Sequence, residues 1–155
     1  MTQHADHTGL PAREFGWWDV FVAPEADPPS DLSLLGLVRH LAGVENFWFR
    51  QVLAGQDGPR LYRTEADPGL DFDGAGPDAD VVAEGWATWR AEVAFAEKFV
   101  AQTADLATTG TFDDGVNGAG SIALREVLVH LIEEYARHLG HADFLRERID
   151  GRVGQ

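Results

Sequence analysis

The chain has 155 residues, 26 Asp+Glu against 12 Lys+Arg for a formal net charge of −14, and no Cys. That length suits one domain with a core of its own. The acidic balance argues against nucleic acid as a partner, and the missing Cys excludes disulfides, Cys-ligated zinc and a thiol nucleophile on the protein itself.

Residues 1–30 hold Pro11, Pro24, Pro28 and Pro29. With Gly16 inside the aromatic run Phe15 to Val22, they read as a short or irregular element packing on the helices of the remaining chain, not as a long helix. Met1 to Leu10 lacks the basic and apolar regions of a signal peptide, and no apolar run in the chain approaches ~18 residues. The expectation is a cytoplasmic protein with no membrane partner.

From Ser30 onward the periodicity is helical. Leu34, Leu37, Val38, Leu41, Val44, Phe47, Trp48 and Val52 recur at three and four, with Ser33 among the candidate caps and Gly55 at the end, so residues 33–54 are predicted to be a helix. Residues 55–77 are rich in Gly, Pro and Asp and read as a connection. Between Glu65 and Glu84 the acidic residues Glu65, Asp67, Asp71, Asp73, Asp78, Asp80 and Glu84 meet no basic one, which reads as a solvated loop. The fragment Asp71-Phe72-Asp73-Gly74 loosely resembles a calcium loop but lacks its spacing.

A second helix is predicted over 78–106, where Val82, Trp86, Trp89, Val93, Ala96 and Val100 form one seam. Residues 107–120 read as a loop. A third helix over 121–149 starts at Ser121 as cap and closes at Gly151. No strand pattern appears, so the expected class is all-α, a single domain spanning 31–151 with the 1–30 segment against it.

The chemistry concentrates on the last helix. At ~100° per residue His130, Glu134, His138 and His141 fall within ~80° of one another. Glu134 and His138 are one turn apart and can converge on one ion, and His40, set in an apolar stripe of an earlier helix, is the candidate third ligand. Two imidazoles and a carboxylate suit zinc first, with nickel or iron as alternatives, and leave coordination positions open. The blander readings are a hydrogen-bonded core histidine at 40 and an ordinary i,i+4 pair at 134 and 138. His130 and His141 read as orienting or proton-carrying residues at the rim.

Two segments carry a family resemblance. Residues 33–55, SLLGLVRHLAGVENFWFRQVLAG, and residues 124–143, LREVLVHLIEEYARHLGHAD, resemble the actinobacterial mini-circle-type branch of the DinB/YfiT-like superfamily. That branch is related to mycothiol-dependent maleylpyruvate isomerases, and the likeness spans about residues 30–151. The resemblance implies an up-down-down-up DinB-like four-helix bundle, here with a short or irregular first element. It also implies a divalent metal held by His40, Glu134 and His138. A low-molecular-weight thiol such as mycothiol would be the co-reactant, and the function a thiol transferase or isomerase acting on an electrophilic small molecule. A metal-dependent hydrolase and a non-enzymatic, metal-stabilised binding protein are the alternatives. A homodimer is expected from the apolar surface that a shortened first element would leave.

Overall fold

The computed structural model describes residues 32–113 and 118–154. The expected N-terminal element at 1–30 lies outside the described residues. Helix α1 (Leu34–Glu45) runs directly into a π-helical segment (Asn46–Leu53). A four-residue helix α2 (Leu70–Asp73), a long helix α3 (Ala79–Gln102), strands β1 (Thr109–Asp113) and β2 (Ala119–Ala123), and a second long helix α4 (Leu124–Asp150) complete the described chain.

The caps explain most boundaries. Ser33 Oγ accepts the backbone N–H of Gly36 at 3.0 Å, and Asp78 accepts that of Asp80 at 2.8 Å, so both helices begin where a side-chain oxygen satisfies a free donor. Gly55 and Gly151 take the left-handed conformation that ends a helix, at φ +63° and +73°.

Three expectations need correction. The chain is mostly helical but not purely so. Residues 109–113 and 119–123 form an antiparallel hairpin with Thr111 opposite Ser121, in the stretch whose composition reads as a loop. The strands are short, and Thr109, Thr111, Phe112 and Ile122 are the β-branched and aromatic residues that suit them. Ser121 therefore lies in β2 and caps nothing. The N-cap of α4 is Ala123, whose N–H is taken by Glu126 Oε2 at 2.7 Å, one half of a capping box. Finally, the connection after Gly55 contains α2, which the turn-rich composition conceals. Helical content and three long helical elements agree with a helical DinB-like fold; a fourth long helix is not among the described residues. None of the described helices is long and apolar enough to cross a membrane.

The core gathers Phe49, Leu53, Ala96, Leu124, Val127 and Leu131 from the π-helical segment, α3 and α4. The hairpin lies against the π-helical segment so closely that a Cβ at Gly110 would meet the Val52 carbonyl oxygen at 2.1 Å. A polar chain ties the three long elements together. Trp89 Nε1 donates to the Tyr135 hydroxyl at 3.0 Å, and that hydroxyl donates to Glu45 Oε1 at 2.9 Å. Tyr135 thus serves the core. Trp86, expected in the apolar seam, is exposed and meets Trp89 edge-on.

Candidate metal centre

His40 sits two turns into α1, and Glu134 and His138 sit one turn apart midway along α4. Each offers one donor atom, and the three atoms all lie within 4.8 Å of one another. Glu134 Oε2 is the common point: it is 3.2 Å from His138 Nε2 and 3.9 Å from His40 Nε2. Ligands held at about 2.1 Å around a tetrahedral ion stand roughly 3.4 Å apart, so these separations suit an ion between them. The rings of His40 and His138 are 4.7 Å apart, tilted by 56°. Both blander readings are met as well, His40 by its 2.8 Å contact with Asp71 and Glu134 with His138 by their i,i+4 pair; neither of them requires the two to converge from different helices.

The outer histidines flank the group on the same helix. His130 Nε2 is 3.6 Å from Glu134 Oε1, whereas His138 pairs with Oε2. His141 Nδ1 is 3.3 Å from His138 Nδ1. The five sequence-predicted residues are therefore brought together, His40, Glu134 and His138 at the centre with His130 and His141 to either side. Burial, and then the neighbouring His40, hold the His138 imidazole below its ordinary range, while Glu134 opposes the shift. A lowered value favours the neutral ring, the form that ligates metal.

Aromatic rings bound the site. Trp48, from the π-helical segment, meets His130 edge-on at 5.2 Å and Phe112 of β1 at 5.7 Å. Phe72 of α2 stacks on His40 at 5.8 Å. Sequence reasoning missed α2 altogether. Asp71 Oδ2 lies 2.8 Å from His40 Nδ1, although its fragment fits no calcium loop. The available signal was its spacing from Pro77 and Gly74, which is too common in loops to place a helix on its own.

The donor set fits a divalent ion. Two imidazoles and one carboxylate, partly buried and converging from two helices, match the ligand preferences of zinc and its neighbours.

Helical elements carrying a histidine–carboxylate cluster between two helices are compatible with a helical DinB-like fold bearing a candidate metal site. The family model described as mycothiol S-transferase matches residues 21–151. The chain belongs to that family, and the DinB-like resemblance of its two motifs is thereby accounted for. Neither the curated proteins nor the solved structures give a match.

Proposed function

We propose that the chain is a divalent-metal-dependent S-transferase that joins the sulfur of mycothiol to an electrophilic small molecule. The observation carrying this reading is the convergence of His40, Glu134 and His138 within 4.8 Å in a chain of the mycothiol S-transferase family. These three residues would hold the ion, zinc before nickel or iron. An ion there would supply Lewis acidity, lowering the pKa of a thiol that reaches it.

The remaining roles belong to the chain. His130, at the rim and 3.6 Å from Glu134 Oε1, takes the proton that leaves the thiol S–H. The sulfur then forms its bond to the electrophilic carbon, and the leaving group departs with its electron pair. His141 orients His138 through the 3.3 Å contact between their Nδ1 atoms. Trp48 and Phe112 give the electrophile an apolar wall. The absence of Cys in the chain is consistent with a thiol supplied from outside.

The test is a titration of the cobalt-substituted protein with mycothiol, followed in the visible, alongside consumption of an activated aryl halide. A spectral change, with turnover only when the thiol is present, supports the proposal. No spectral change with any thiol contradicts it, and thiol-independent cleavage of esters would point to a hydrolase instead.

We further propose a homodimer. Val129, Ile132 and Leu139 are exposed and fall at three-and-four spacing with Ala136, on the face of α4 away from the histidine–carboxylate cluster. Arg125 and Asp143 lie symmetrically at the two ends of that stripe. An antiparallel second copy would bury the stripe and set each Arg125 against the partner's Asp143. Light scattering at twice the monomer mass supports this; a monomer at all concentrations contradicts it.

A further inference from the structure

His40 uses both of its ring nitrogens. Nε2 faces Glu134 Oε2 at 3.9 Å, and Nδ1 lies 2.8 Å from Asp71 Oδ2. Asp71 is itself held in place, because its Oδ1 accepts the backbone N–H of Phe72 at 3.1 Å. The carboxylate therefore has one oxygen tied to its own helix and the other aimed at the imidazole.

The helix that presents Asp71 is fastened by the residue next to His40. Arg39 is 6% exposed. Its Nη1 donates to the Gly74 carbonyl, and its Nη2 donates to the Leu70 carbonyl at 3.0 Å. Those two carbonyls lie at the two ends of α2, so one guanidinium fork grips the whole turn. The guanidinium also lies over the Tyr62 ring at 4.3 Å, and the Tyr62 hydroxyl donates to Glu84 of α3 at 2.6 Å. On the opposite side Gly36 leaves room for Phe72: a Cβ there would stand 2.4 Å from Phe72 Cδ1. Gly36, Arg39 and His40 thus lie on α1 as seat, clamp and candidate ligand for one short segment.

We propose that Asp71 is the positioning residue for His40: it accepts the proton on Nδ1, fixes the ring in the Nδ1–H form, and so leaves Nε2 as the lone-pair donor facing Glu134 and His138. Arg39 acts through Asp71 by holding α2 against α1. A neutral imidazole carries one N–H and one acceptor nitrogen, and a hydrogen bond at one nitrogen decides which is free to ligate. Removal of an outer hydrogen-bond partner of this kind typically weakens metal affinity about 10–100-fold. The effect on affinity rests on the reading of His40 as a ligand; the tautomer does not.

Two measurements keep these apart. The first uses the metal-free protein. Nitrogen-15 NMR of the histidine rings, at a pH above the imidazole range, is expected to show His40 protonated on Nδ1 in the wild type and shifted toward Nε2–H in Asp71→Ala. An Nε2–H ring in the wild type overturns the proposal whether or not the site binds metal. The second is zinc affinity by competition with a chromophoric chelator. Asp71→Ala is expected to lose roughly 10–100-fold. Asp71→Asn is expected to lose less, since its one amide oxygen can still accept from Nδ1 without the charge by giving up the Phe72 N–H, and it carries the test if Asp71→Ala does not fold. Arg39→Met is expected to weaken zinc in the wild-type background but to add little on top of Asp71→Asn. Wild-type affinity in both Asp71 variants overturns the positioning role while leaving the three-ligand site intact. Failure of the wild type to take up zinc overturns the site itself, and the tautomer measurement still decides the role of Asp71.

Discussion

Glu134 has imidazoles on both of its oxygens, with His138 and His40 on one side and His130 on the other. Removing its charge while keeping its shape separates a ligand from a packing residue. Glu134→Gln is expected to lower zinc affinity by about tenfold or more, with little change in the unfolding midpoint of the metal-free protein, measured by chelator competition and thermal melts. At the end of the polar chain that runs from Trp89 through Tyr135, Glu45 is 6% exposed and its Oε2 has no hydrogen-bond partner among the described residues. Burial pushes its carboxyl above the ordinary value of 4.5; the Tyr135 hydroxyl pulls the other way, and the charges of Glu92 and Glu97 add to the rise. For an acid whose folded pKa is raised, the favourable contribution is full below the unfolded value and is lost as pH rises through the folded one. The stability of the wild type relative to Glu45→Gln should therefore fall as pH climbs above about 4.5. Urea unfolding of the metal-free pair across that range checks the sign, and a gap that is flat or widens toward the wild type contradicts it.

At the scale of elements, the hairpin and α2 do what the long helices cannot. The hairpin brings Phe112 to Trp48, and α2 brings Asp71 and Phe72 to His40. Gly110→Ala pushes a methyl group into the Val52 backbone, where no side chain can swing aside. It should cost about 1–3 kcal/mol, the usual range for overpacking, read by denaturant unfolding. The long helices were legible in the sequence because their apolar residues step by three and four over many turns and their boundaries carry Ser33, Asp78, Gly55 and Gly151. The hairpin was not, because two five-residue strands give too short an alternation to stand out from a Thr- and Gly-rich loop. The π-helical segment was not legible either. Asn46–Leu53 continues the same apolar spacing as α1, and nothing in its residue preferences separates the wider turn from an α-helix. Helix α2 has four residues, too few to show a period, and it is tied to α1 by Arg39, whose contact with the Leu70 carbonyl spans 31 residues of sequence.

At the scale of the whole chain, the histidine–carboxylate cluster joins α1 to α4, elements at opposite ends of the described sequence. His40, Glu134 and His138 were legible because helical spacing and family resemblance selected the same three positions. Asp71 was hidden because its role depends on how a loop folds back. An ion bound only by the folded state stabilises it by mass action, about 2.7 kcal/mol at a free concentration roughly one hundred times the dissociation constant. Zinc should raise the melting temperature of the wild type and a chelator should remove the gain, with His40→Ala showing neither effect in differential scanning calorimetry. The most direct measurement of the central claim is element-resolved metal analysis of untagged protein, wild type beside His138→Ala. One equivalent of a divalent metal in the wild type and far less in the variant is the predicted result; equally little metal in both would contradict the account.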